Sequence, residues 1–203
     1  SVILSKEQQA SNIVFITKNG ILKKSSLSEY NLKRGNGVQA IKLDENDTII
    51  SVLILRDENI GILSHSGNFI MIPTSDIRLI GRVARGVVGM KLNEGDYVVS
   101  ARVIPKETKE ILSISEDGSA KRTSIREFGL TGRATKGKSI QQSDKLCDFL
   151  PLIDDKEVLV VSNVSQIRLK INEIPLLSRA TMGVKVMKLK DKEKIQNLVG
   201  LNS

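Results

Sequence analysis

Aromatic side chains are scarce in this 203-residue chain: two Tyr, four Phe and no Trp. Proteins that hold single-stranded nucleic acid stack bases on aromatic platforms, so that mode is excluded. A nucleic-acid partner would have to be a duplex held by its phosphate backbone. Cysteine is reduced to Cys147. No disulfide can form within the chain, which fits a reducing cytoplasm, and the thiol reads as buried and inert. His65 is the one histidine, and on the turn before Gly67 it reads as a solvent-facing residue rather than a ligand. No segment is apolar for long enough to cross a membrane, and no signal-peptide pattern opens the chain. Asp44, Glu45 and Asp47 lack the twelve-residue pattern of a calcium loop and read as a solvated acidic turn. The glycines lie between strands rather than ahead of helices, which excludes a phosphate-cradling nucleotide loop. With no acid–base or nucleophile constellation, no catalytic site and no cofactor are expected in this chain.

What the chain does have is positive charge and Ile, Val and Leu. Lys and Arg number 31 against 23 Asp and Glu, a net charge of +8, which suits a polyanionic partner. The β-branched palette suits strands, and no segment sustains a 3.6-residue period.

The chain is also a fourfold repeat. Gly20, Gly67 and Gly118 are each followed nine residues later by an acid, Glu29, Asp76 and Glu127, and Val164 takes the glycine slot before Glu173. A second glycine lies ten residues past the acid in three copies, Gly86, Gly137 and Gly183, and eight past it at Gly37. An acid returns ten residues further on at Asp47, Asp96 and Glu193. Each unit reads as an apolar strand, a Gly hairpin turn and an alternating strand, with the second Gly at a bulge or tight bend. This predicts an all-β, propeller-like array of four four-stranded antiparallel blades in an open arc. The blades should span residues 11–55, 59–104, 109–154 and 157–200 of one domain, 1–203, with residues 1–4 as the closing strand of a preceding unit.

Charge recurs at equivalent positions. Lys33, Arg82, Arg133 and Arg179 share one slot. Lys23 and Lys24, Lys121 and Arg122, and Arg168 with Lys170 occupy the strand after the turn in three copies. Arg85, Lys136, Lys138 and Lys185 flank the second glycine, and Arg34 adjoins it in the first copy. Equivalent slots fall on equivalent faces of a repeat array. These fifteen residues therefore form a candidate stripe that neutralises phosphates and holds duplex DNA in a salt-sensitive, largely sequence-independent way. Bending DNA costs on the order of 1–6 kcal/mol per 20–30 base pairs, so many contacts are needed. A competing reading pairs the recurrent Arg with the recurrent acid in structural salt bridges. A reading from another class is a propeller scaffold for protein partners.

The motifs Gly20-Ile21-Leu22-Lys23-Lys24, Gly81-Arg82-Val83-Ala84-Arg85-Gly86-Val87-Val88-Gly89-Met90, Arg133-Ala134-Thr135-Lys136-Gly137 and Arg179-Ala180-Thr181-Met182-Gly183-Val184 resemble the C-terminal domain of the bacterial DNA gyrase A subunit, and its topoisomerase IV counterpart. The order of the variants is similar to the last four of that family's six blades. The resemblance implies a β-pinwheel whose blades exchange a strand, with DNA wrapped on a basic perimeter to support negative supercoiling. It implies that ATP and Mg belong to other parts of the parent enzyme, and that neither Tyr30 nor Tyr97 is a cleavage tyrosine. The implied partners are duplex DNA, the rest of the gyrase A protein and the gyrase B protein of a cytoplasmic, nucleoid-associated A2B2 enzyme. The isolated fragment should be a monomer with no membrane partner. One departure stands out. The family's box of Gln, basic residues and glycines has its nearest match at Asn31-Leu32-Lys33-Arg34-Gly35-Asn36-Gly37, which lacks the Gln and one Gly.

Overall fold

Each of the first three repeats opens with a hairpin whose turn needs positive φ, supplied by Gly20, Gly67 and Gly118 at φ 78°, 88° and 82°. The computed structural model describes residues 11–30, 39–143 and 145–201. The segment holding Lys33, Arg34 and the box-like stretch lies outside the described residues, as do residues 1–4. In the first sheet β1 (Asn12–Thr17) pairs with β2 (Ile21–Ser26) and with β3 (Ile49–Leu55). The second contains β4 (Asn59–Ser64), β5 (Asn68–Pro73) and β7 (Val98–Ile104). The third contains β8 (Glu110–Ser115), β9 (Ser119–Ser124) and β11 (Leu146–Leu152), and the fourth β12 (Glu157–Ser162), β13 (Gln166–Lys170) and β15 (Ile195–Leu201). The fourth turn has Val164 where the others have glycine, and it closes between Val161 and Gln166.

The outermost strand of each of the first three sheets comes from the next repeat. β6 (Val87–Val88) pairs with β2, β10 (Lys138–Ser139) with β5, and β14 (Val184–Lys185) with β9. These sheets therefore have four strands, and the last has three among the described residues. The second glycine of the repeat marks this crossing, not a bend within its own blade. A Cβ on Gly86 would lie 2.7 Å from the Leu22 carbonyl oxygen, and one on Gly183 2.8 Å from the Ala120 backbone.

Hydrophobic cores sit between sheets rather than within them. Val14, Ile16 and Leu22 pack with Ile60, Ile62 and Ile70 across the first seam. Phe69 meets Phe128 and Phe149 edge-on at 5.0 and 5.1 Å across the second. Leu112, Ile114 and Leu150 pack with Val158, Val160 and Leu198 across the third. The innermost strands β3, β7, β11 and β15 neighbour one another in turn. Asp148, buried on β11, accepts from Ser100 Oγ at 2.5 Å and from the Phe149 and Leu198 N–H groups at 2.8 Å. Arg102 Nη2 reaches Asp148 Oδ2 at 2.5 Å and the Leu198 carbonyl at 2.9 Å.

The hairpin turns add a backbone stitch. His65 N–H donates to Tyr97 O at 2.8 Å while its carbonyl accepts from Leu146 of the third sheet at 2.9 Å. Lys18 and Glu116 repeat the pattern. The His65 ring is consequently not a solvent-facing turn group. It stacks on Tyr97 with centroids 4.7 Å apart, and its Nε2 lies 3.4 Å from Glu116 Oε1. The acidic turn is likewise not simply solvated: Asp47 is buried, and its Oδ1 accepts from the N–H groups of Asn19 and Thr48 at 3.0 and 2.9 Å. Cys147 is half-buried, and burial followed by the charge of Asp148 raises its thiol pKa, which keeps it protonated.

Candidate nucleic-acid interface

Each crossing segment lies along the outer edge of the preceding sheet and is pinned at both ends. In the second repeat, Ile80 N–H donates to Lys24 O at 2.8 Å, and Val87 and Val88 then pair with Leu22 and Ile21. Thr131 and Leu177 make the same bond to Met71 O and Arg122 O, each at 2.9 Å. Between the two anchors the chain bulges through residues 81–86, 132–137 and 178–183. The bulges carry Arg82 and Arg85, Arg133 and Lys136, and Arg179. In the third repeat the bulge places Ala134 in the left-handed region at φ 58°.

The strand lysines face the other way. Lys23 and Lys121 are fully buried and Lys24 nearly so. Lys23 Nζ donates to the carbonyls of Ala40, at 2.6 Å, and of Arg82. Lys24 Nζ donates to Thr74 O at 2.8 Å, and Lys121 Nζ to Ser178 O at 2.5 Å. Desolvation lowers the pKa of all three, that of Lys121 to about 8. The expectation that these ammonium groups lie on an outer phosphate-binding stripe is therefore corrected: they fasten neighbouring segments of the chain. Arg122 is also engaged, through Ile174 O and Glu110, both at 2.7 Å.

The remaining candidates lie at the surface. Arg133, Lys136, Lys138 and Lys170 are exposed and make no ion pair among the described residues. Arg85, Arg168 and Lys185 are exposed and paired with Asp44, Glu157 and Asp117. Arg82 and Arg179 are half-buried. Among the described residues the recurrent acid does not take up the recurrent Arg side chain in an ion pair. Glu127 instead accepts the backbone N–H of Arg179 at 2.9 Å, which leaves the guanidinium for another anion.

A further basic slot escapes sequence reasoning. Lys42, Lys91 and Lys188 each lie five residues past the second glycine and are exposed. Lys42 N–H donates to Ala84 O at 3.2 Å and Lys91 N–H to Thr135 O at 2.9 Å. Both therefore adjoin the bulge of the following repeat. The spacing is plain in the sequence, but the slot adjoins a bulge only because the segments cross between blades.

Strand-exchanging antiparallel sheets in an open row define a β-pinwheel of the propeller class. The chain belongs to the family described as DNA gyrase C-terminal domain, beta-propeller, which it matches over residues 11–56, 59–105, 109–148 and 167–200. That domain is a non-catalytic part of a type IIA topoisomerase, and no cluster of three or more potential metal ligands occurs among the described residues. Among similar curated proteins, the DNA gyrase A subunit of Helicobacter pylori is 37% identical over 190 residues, which cover 89% of this chain and 23% of that protein. Its counterpart from Staphylococcus epidermidis is 34% identical, over 97% of this chain and 23% of its own length. The chain thus spans about a quarter of the curated relatives it matches. A solved structure of a DNA gyrase A C-terminal domain superposes with a TM-score of 0.86 at 25% identity, covering 96% of this chain and 67% of that one. A topoisomerase IV C-terminal domain gives 0.90 at 22% identity, covering 98% and 64%, a likeness of fold.

Proposed function

We propose that this chain binds duplex DNA along the crossing bulges and wraps it, as the DNA-wrapping part of a gyrase A subunit that supports negative supercoiling. The observation that carries the reading is the repetition of basic residues on the outermost edge of successive sheets. The bulges supply Arg82, Arg85, Arg133, Lys136 and Arg179, and Lys42 and Lys91 adjoin them across the seams. The edge placement favours duplex backbone over single strands, since no row of exposed aromatics accompanies the charge among the described residues. On this reading the partners are the rest of the gyrase A protein and the gyrase B protein of a cytoplasmic A2B2 enzyme.

Titration of a labelled duplex at several salt concentrations tests it. Affinity should fall steeply with salt. Replacing Arg133 and Lys136 with Ala should weaken binding to every sequence alike and reduce the logarithmic salt slope by about 0.9 for each phosphate no longer neutralised. Binding that ignores salt, or no binding at low salt, would favour a scaffold for proteins instead.

A further inference from the structure

We propose that a leucine repeated once per blade, Leu79, Leu130 and Leu176, makes a non-ionic contact with the sugar-lined wall of the DNA minor groove. The inference rests on the DNA-binding reading above. Each of these leucines lies three residues past the recurrent acid, Asp76, Glu127 and Glu173, and Leu32 occupies the same slot after Glu29 in sequence. The three described are 58%, 56% and 51% exposed. Their exposure does not come from the ends of the array, because Leu130 and Leu176 lie on the second and third sheets, each with a sheet on either side.

The fold explains the backbone here and not the side chain. The segment is tied by main-chain bonds beside the leucine, Ile80 N–H to Lys24 O at 2.8 Å and Leu177 N–H to Arg122 O at 2.9 Å. Any residue with a free N–H after it would serve. Single exposed apolar residues are ordinary on a protein surface, but the same leucine on the edge of three successive sheets is not scatter. Three residues further on, the segment carries the basic bulge with Arg82, Arg133 or Arg179. A partner that fits this row offers alternating phosphate charge and hydrocarbon. A duplex groove, walled by deoxyribose C–H edges between two phosphate rows, has that chemistry, and proteins that hold bent DNA place apolar side chains in the minor groove.

The test compares three triple variants of the chain with a labelled duplex across a salt series. L79A/L130A/L176A should bind about tenfold more weakly at every salt concentration with the salt slope unchanged, because every phosphate contact is kept. It should melt with the parent, and the leucine-to-methionine triple, which keeps the hydrocarbon, should retain parental affinity. R82A/R133A/R179A should flatten the slope. Parental affinity in the alanine triple while the arginine triple loses binding would overturn the leucine proposal alone. A changed salt slope or a clearly lowered melting temperature in the alanine triple would also overturn it, by making the leucines supports for other residues. Parental affinity in both alanine triples would place the DNA path away from this edge and overturn the leucine proposal with it, whereas no salt-sensitive binding by the parent chain would overturn the DNA reading itself.

Discussion

An ammonium group taken out of water needs acceptors around it, and Lys121 finds them on the segment that crosses from the next repeat, Ser178 O at 2.5 Å and Thr181 Oγ1 at 3.4 Å. Burial disfavours its charged form and brings its pKa down from 10.5 to about 8, with Glu127 opposing the shift and Arg179 adding to it. Between pH 8 and 10.5 the unfolded chain holds this proton and the folded chain does not, so this residue's contribution to stability rises with pH through that window. Lys121→Met should lose about 1–3 kcal/mol at pH 7, because the Ser178 carbonyl loses its charged donor and keeps only the Thr181 hydroxyl at 2.8 Å. Relative to the parent it should fall further behind from pH 8 to 10.5, as urea melts at pH 7, 9 and 10.5 would measure. It should keep the parental salt slope for DNA, since its charge never reaches solvent. A variant that tracks the parent across the pH window would refute the buried-amine account.

The crossing segment is the element on which both the sheet edges and the bulges depend, and the two glycines that bound one bulge test its geometry. Gly86 sits at φ 97° with the Leu22 carbonyl where a Cβ would go, whereas Gly81 has open space around it and no positive φ. Gly86→Ala should cost at least about 2 kcal/mol, while Gly81→Ala should be neutral or stabilise by up to about 1 kcal/mol. Equal melting temperatures in the two variants would mean that the segment is not held against β2. Repeat number, hairpins and the all-β class were legible in the spacing of Gly20, Gly67, Gly118 and their acids. The exchange of strands was not readable from the residues themselves. A two-residue strand such as Val87–Val88 has no periodicity, and its partner lies in another repeat. That blindness explains the misplaced lysines. Lys23 and Lys121 look like surface residues because what buries them is a neighbouring repeat's crossing segment. The bulge arginines were legible because their slot recurs. Lys42, Lys91 and Lys188 recur too, with Gln142 in the third copy, but only the crossing gives that slot its neighbour.

Across the whole molecule, stability is a chain of nearest-neighbour seams, because each core joins adjacent sheets. The innermost strands carry a polar network that spans three sheets, with Ser100 and Arg102 on β7, Asp148 on β11 and the Leu198 backbone on β15. Removing its carboxylate strands a partly desolvated guanidinium and two backbone N–H groups, so Asp148→Ala should cost about 3–5 kcal/mol. The loss should also be local. Hydrogen exchange in the variant should quicken along β11 and β15, where Phe149 and Leu198 lose their acceptor. Exchange in β1 and β2 should stay near the parent's, since Val14, Ile16 and Leu22 pack in a seam that does not include Asp148. Uniform acceleration over all four sheets would show that the array unfolds as a single unit and would refute the seam-by-seam picture. Acceleration confined to the third and fourth sheets would mean that one seam opens while another stays closed.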